Sequence, residues 1–243
     1  MLRLIIAFLW AALAMIFSLP AHWHWKHIAK KDPMKAWRKA HPYVRGFFRK
    51  LLFIAGTKIE VRGKENLPAA DQAALFVGNH RSYFDIIILQ TLTNGPIGFV
   101  AKKEFLSYPL LPLYTADIGS IFLDRENVRE SLKTINDGTE RMKLGLSLGL
   151  FPEGTRNHGD QLLPFKPGGY RMAEKSDSPL IVMALTNVGK IFEENKCHFL
   201  RRRHVIIEFD KPVYPSQLSK EERKAFYDGI PARIQEMLDT HKN

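Results

Sequence analysis

The chain has 243 residues, with 36 Lys+Arg against 25 Asp+Glu and a formal charge of +11. Its 45% hydrophobic and 25% charged content is that of a folded chain with a real core, which excludes disorder over most of its length. The single cysteine, Cys197, excludes an internal disulfide framework and a multi-cysteine metal site and fits a reducing compartment. The basic excess points to an anionic partner: nucleic acid, a phospholipid surface, or a phosphorylated or acidic substrate.

Residues Leu4 to Leu19 are apolar or small except Ser18. As a helix they reach about 24 Å, short of a hydrocarbon core of about 30 Å. The stretch reads as an uncleaved anchor, either a tilted span or re-entrant, because Ser18-Leu19-Pro20-Ala21 poorly matches a signal cleavage site. His22-Trp23-His24-Trp25 follows, then nine Lys/Arg between Lys26 and Lys50 against one acid, Asp32. Tryptophan at an apolar edge before a basic segment is the composition of a bilayer interface. Trp37, Tyr43, Phe47, Phe48, Leu51 and Leu52 alternate with Arg38, Lys39, Arg45, Arg49 and Lys50, as in an amphipathic helix lying on a membrane. If the first helix crosses, this basic flank puts the rest of the chain in the cytoplasm. His22, His24 and His27 lack a carboxylate or cysteine at ligand spacing and read as interfacial rather than metal-binding. Residues 1–52 are thus expected to be membrane-anchoring helices and 53–243 an α/β domain.

Within that domain, strands are expected at Lys58–Val61, Ala73–Val77, Ile97–Ala101, Ser120–Leu123, Leu146–Phe151, Leu180–Leu185 and Val205–Phe209. A helix is expected over 126–144, from the periodicity of Leu132, Ile135 and Met142. A C-terminal helix should start at the capping box Ser219/Glu222 and run to about Leu238. Strands alternating with helices make an α/β layer fold.

Three segments carry chemistry. Asn79-His80-Arg81-Ser82-Tyr83-Phe84-Asp85 follows a strand. With His80 in the loop and Asp85 in the first helical turn, the carboxylate can fix the imidazole's tautomer and stabilise the imidazolium. Equally, Ser82-x-x-Asp85 is a capping box, and a plain cap is the alternative role for Asp85. Phe151-Pro152-Glu153-Gly154-Thr155-Arg156 lies beyond another strand, where sites form in open α/β sheets. Gly119-Ser120-Ile121-Phe122-Leu123-Asp124-Arg125 delivers Arg125 to a strand end, either as a phosphate clamp or as a surface ion pair.

Together these segments resemble the glycerolipid acyltransferases, in particular the bacterial 1-acylglycerol-3-phosphate (lysophosphatidic acid) acyltransferases. The family's blocks correspond to NHRSYFD, GSIFLDR and FPEGTR here; Lys102-Lys103-Glu104 and Phe165-Lys166-Pro167-Gly168 occupy two further family positions, and Ser178-Pro179-Leu180-Ile181-Val182 fits a fourth block loosely. Met183, where the family has a second proline, and Pro167 are departures that bear on acceptor specificity.

The resemblance implies a mixed sheet flanked by helices, as in glycerol-3-phosphate acyltransferases, behind a helical N-terminal anchor. It implies acyl transfer from a thioester to the sn-2 hydroxyl of 1-acyl-sn-glycerol-3-phosphate, giving phosphatidic acid. His80 would be the general base and Asp85 its orienting acid, with no metal and no cofactor beyond the thioester co-substrate, on acyl carrier protein or coenzyme A. Arg125, Arg156 and Lys102 or Lys103 would face the phosphomonoester, which carries a charge of about −1.5 to −2 if it behaves as phosphoserine does. Glu153 would organise the loop or hold an acceptor hydroxyl, with Gly154 and Thr155 beside it. The partner is a phospholipid membrane rather than nucleic acid, and the expected location is the cell membrane with the catalytic domain on the cytoplasmic face. Another lysolipid acceptor is an alternative. So is a serine esterase built on the Gly145-Leu146-Ser147-Leu148-Gly149 elbow, although Ser147 runs into an apparent strand. A non-enzymatic nucleic-acid binder using Arg201-Arg202-Arg203-His204 lacks a recognised binding motif.

Overall fold

The computed structural model describes residues 1–107, 111–123, 128–159, 161–195 and 199–241. Asp124, Arg125 and Cys197 lie outside these residues. In chain order the strands are β1 (Lys58–Arg62), β2 (Leu75–Gly78), β3 (Ile97–Lys102), β4 (Ile121–Leu123), β5 (Ser147–Leu150), β6 (Leu180–Thr186) and β7 (His204–Phe209). They form one sheet in the order β1-β7-β6-β2-β5-β3-β4. Neighbours are parallel except for the antiparallel pair β6–β7, so the sheet is mixed.

Strand β2 shows why these residues form this sheet. Its side chains are all apolar, and Leu75, Phe76 and Val77 are 0% exposed. A strand alternates its faces, so one run of apolar residues feeds two layers. Phe76 joins a cluster with Leu52 and Ala55 of helix α2 (Pro33–Ala55) and Ile88 and Leu89 of α3 (Tyr83–Leu92). Leu75 and Val77 join Met142 of α5 (Val128–Lys143), Met172 and Ala173 of α6 (Arg171–Ser176), and Ile230 and Ile234 of α7 (Lys220–Asp239). Burying one such side chain contributes about 1.5–3 kcal/mol.

All seven expected strands form, with ends displaced by at most two residues; β2 starts at Leu75 rather than Ala73. The C-terminal helix has the expected capping box at Ser219 and Glu222. Helices α4 (Leu111–Asp117) and α6 were not foreseen; at seven and six residues they are too short to display a helical period.

The first helix, α1, spans Leu2–Ala29, 28 residues or about 42 Å. It continues through Pro20 because the turn beyond is held by packing: His22 and Trp25 are buried. It is the one helix among the described residues long and apolar enough to cross a membrane, and only 6% of its most apolar window is buried. That low burial excludes a core helix. Helix α2 is amphipathic, as expected, and its buried face packs on the protein itself. Its side chains Met34, Trp37 and Leu52 are turned onto the α/β layers, Ala36 and Ala40 pack against Trp25 of α1, and the Trp37 indole N–H donates to Ala116 O at 3.2 Å. The apolar surface left open lies mainly on α1, where Leu2, Phe8, Leu9, Leu13, Ile16 and Phe17 are exposed.

Candidate active site

Strands β6, β2, β5 and β3 run parallel, so their carboxyl ends share one edge of the sheet. Open α/β sheets bind ligands at that edge. The loop after β2 carries Asn79 to Ser82. Buried Asn79 replaces a strand partner there: its amide donates to Leu185 O at 3.0 Å and accepts from Leu185 N–H at 2.8 Å. This pins the loop to β6 just before His80.

Ser82 then caps α3, its hydroxyl accepting from Phe84 N–H at 3.0 Å. Asp85 sits in the first turn, and its Oδ2 accepts three bonds: from Arg81 N–H at 2.7 Å, Ser82 N–H at 2.8 Å and His80 Nδ1–H at 2.8 Å. The two sequence readings of Asp85 therefore coexist in one oxygen atom. The cap fixes the carboxylate, and the carboxylate fixes the imidazole. Asp85 is fully buried while the His80 side chain is 16% exposed. The ring lies flat on Phe151, with centroids 4.3 Å apart and planes 14° apart. With the proton on Nδ1, Nε2 keeps its lone pair, and it has no hydrogen-bond partner among the described residues.

Glu153 binds the two loops together. Its Oε1 accepts from His80 N–H at 2.8 Å; its Oε2 accepts from the Asn157 side chain at 2.8 Å and Leu163 N–H at 3.0 Å. Asn157 N–H in turn donates to His80 O at 2.7 Å. Both carboxylate oxygens of this buried residue face protein donors, so of its two expected roles the loop-organising one matches the geometry. Gly154 turns the loop at φ +75°, a conformation that disfavours any side chain, and its N–H donates to Phe151 O at 3.0 Å. Thr155 is exposed. Gly149, on β5 just before this loop, is required by close approach: a Cβ there would lie 2.6 Å from the Phe99 ring, which stacks in turn on Phe151.

Arg156 lies over the Tyr83 ring at 3.7 Å and reaches Glu193 Oε1 at 3.3 Å. Sequence reasoning missed Glu193, and also Asn157 and the pinning role of Asn79. Glu193 comes from the irregular segment after β6, where neither period nor motif marks it. Lys102 ends β3, two strands from β2, about 10 Å across the sheet; Lys103 follows at the start of a short 3-10 turn and is exposed. Neither makes a described contact with His80 or Asp85.

The other candidates separate from this edge. Ser147 begins β5, at the opposite edge, and its buried hydroxyl accepts from Ala74 N–H at 3.2 Å. It is a strand residue with no nucleophile elbow. A cavity of about 310 Å³ lined by Arg38, His41, Asp71, Asn94 and Pro96 also lies at the amino ends of the strands. His22, expected at an interface, is instead buried against α4, with Nδ1 2.9 Å from both carboxylate oxygens of Asp117. Burial pushes the Asp117 carboxyl above its usual range, against the lowering effect of His22. No group of three potential metal ligands occurs among the described residues.

Comparison with known proteins bears on this geometry. Residues 58–186 match the family model described as Acyltransferase. A 1-acyl-sn-glycerol-3-phosphate acyltransferase of Borreliella burgdorferi is 30% identical over 191 residues, covering 79% of this chain and 76% of the relative. A chloroplastic protein of the same name from Brassica napus is 29% identical, over 74% of this chain and 52% of its own length. The matched part of the chain thus spans about half the length of such plant relatives. The crystal structure of the 1-acyl-sn-glycerophosphate acyltransferase PlsC from Thermotoga maritima superposes with a TM-score of 0.76, covering 99% of this chain and 97% of that one at 19% identity, a likeness of fold. With the family model spanning more than half of its 243 residues, the chain belongs to the acyltransferase family.

Proposed function

We propose that this protein transfers an acyl chain from a thioester to the sn-2 hydroxyl of 1-acyl-sn-glycerol-3-phosphate, giving phosphatidic acid. The observation that carries the reading is the His80 imidazole, held through Nδ1 by a buried, triply bonded Asp85 oxygen, with Nε2 unpartnered among the described residues at the carboxyl edge of the sheet. An alcohol is almost wholly protonated at neutral pH, so attack on a thioester needs a base of near-neutral pKa. Nε2 takes the hydroxyl proton as the oxygen bonds to the carbonyl carbon. Asp85 stabilises the resulting imidazolium. The tetrahedral intermediate collapses, the C–S bond breaks, and the imidazolium returns its proton to the leaving thiolate. No covalent acyl-enzyme and no cofactor is needed; the donor is acyl carrier protein or coenzyme A thioester.

Arg156, Lys102 or Lys103, and Arg125 supply the positive field for the acceptor's phosphate, with Gly154 and Thr155 shaping the loop. The exposed apolar length of α1 and the basic flank behind it support anchoring in the cell membrane, with residues 53–243 on the cytoplasmic face. The partners are the bilayer, lysophosphatidic acid and the acyl donor, and no nucleic acid.

The test is a donor-by-acceptor matrix with purified protein in detergent. Transfer to lysophosphatidic acid that disappears in His80→Ala is the expected result. Near-normal turnover by that variant would falsify the mechanism, and transfer only to phosphate-free acceptors overturns the acceptor assignment.

A further inference from the structure

We propose that Glu193 is a positioning residue that aims Arg156 at a phosphomonoester and links that contact to the turn carrying Asp85. The proposal rests on the acceptor reading above. The Glu193 side chain is only 5% exposed, whereas the Arg156 side chain is 30% exposed. The acid therefore lies beneath the guanidinium, and the guanidinium lies at the surface. Glu193 Oε1 accepts from Tyr83 N–H at 2.8 Å as well as from Arg156 Nη1 at 3.3 Å. Its Oε2 accepts from the Ser82 hydroxyl at 2.6 Å. Ser82 is the cap of α3, and Tyr83 is both the first residue of that helix and the face on which Arg156 lies.

A buried carboxylate without partners is costly; this one is satisfied by three donors from two loops. Two of those donors belong to the turn from which Asp85 holds His80. The third fixes one nitrogen of Arg156, while Nε and Nη2 make no hydrogen bond among the described residues. A guanidinium held from behind by an acid and from below by an aromatic face loses rotamer freedom before the ligand arrives, and its remaining N–H groups form the fork that matches phosphate oxygens.

Two readings of such an acid are opposed in sign. If it orients Arg156, removing its charge weakens phosphate binding. If it merely competes with phosphate for Arg156, removing its charge strengthens binding. Glu193→Gln decides between them by steady-state kinetics with 1-acyl-sn-glycerol-3-phosphate and with the phosphate-free 1-acylglycerol. The expected result is a KM for the phosphorylated acceptor raised about tenfold, the scale of one charge-assisted hydrogen bond, with the KM for 1-acylglycerol unchanged. In an Arg156→Ala background, Glu193→Gln should add less than about twofold, since residues acting through one another are not additive. A lowered KM, equal losses on both acceptors, or full additivity with Arg156→Ala overturns the proposal while wild-type transfer to lysophosphatidic acid still stands. Absence of that wild-type transfer overturns both. Should Glu193→Gln fail to fold, Glu193→Asp keeps the charge one methylene short and is read by the same cycle, with the same outcomes.

Discussion

Among the described residues, histidine meets aspartate twice, and the two pairs are nearly the same in length. His80 Nδ1 lies 2.8 Å from Asp85, and His22 Nδ1 lies 2.9 Å from Asp117. They differ in what surrounds them. The His22 and Asp117 side chains are each 4% exposed, and His22 Nε2 is buried with no partner. Asp85 is sealed but His80 is not, and Asp85 is braced by two backbone N–H groups as well. Proton transfer to a substrate needs an accessible nitrogen opposite the steered one. The first pair has it; the second joins α1 to α4, beside the Tyr114 hydroxyl that donates to Met15 O at 2.5 Å. Of the two contacts, only His80–Asp85 leaves one end of its imidazole open, at the carboxyl edge of the strands, and that difference is what the proposed chemistry rests on.

The comparison is broken most sharply by alanine at each histidine. His80→Ala should cut turnover by about a thousandfold, within the range for loss of a general base, while the melting temperature stays near that of the wild type. His22→Ala should do the reverse. It leaves a buried carboxylate unpaired, a change that costs about 3 kcal/mol, seen as a lower denaturant midpoint, while kcat per folded molecule holds within about threefold. Comparable losses of turnover in both variants would erase the distinction. Asp85→Asn sharpens it: the amide is nearly isosteric but cannot enforce the Nδ1–H tautomer, so turnover should fall by at least about a hundredfold. The weakened cap should cost about 1 kcal/mol besides. A variant that lost only the stability would make Asp85 a cap and nothing more.

How much of this was legible beforehand follows the range of each interaction. His80 and Asp85 are five residues apart and the cap that fixes them is local, so the spacing allowed the pair while leaving a plain cap equally open. Glu153 was noticed through its motif, yet its bond to His80 depends on β2 and β5 being neighbours, which spacing does not encode. Glu193 and Ser82 are 111 positions apart, and Asp117 and His22 are 95. Such contacts exist only once the sheet order is set, and neither Glu193 nor Asp117 stands in a pattern that singles it out. Trp37 shows the same limit from the other side. Its neighbours predict a helix with a membrane-facing stripe, but the packing of α2 on the sheet layers decides which side of that helix is covered.

The smallest effect should come from Asp117→Asn, and its sign is fixed by burial. Asp117 titrates above the usual carboxylate range because desolvation outweighs the pull of His22. A carboxyl whose folded value is raised binds more protons in the folded state than in the unfolded one. Its contribution to stability is complete below the unfolded value and is lost as pH rises through the folded value. The wild type should therefore show unfolding free energy that declines with rising pH in the window just above the ordinary carboxylate range. Asp117→Asn keeps an acceptor for His22 Nδ1–H and removes the titration, so that decline should flatten while turnover on the lysophospholipid is retained. An equally steep curve in the variant would trace the pH dependence to other groups. A steeper loss of turnover than of stability would give the sealed pair a part in the chemistry that its lack of an open nitrogen denies it.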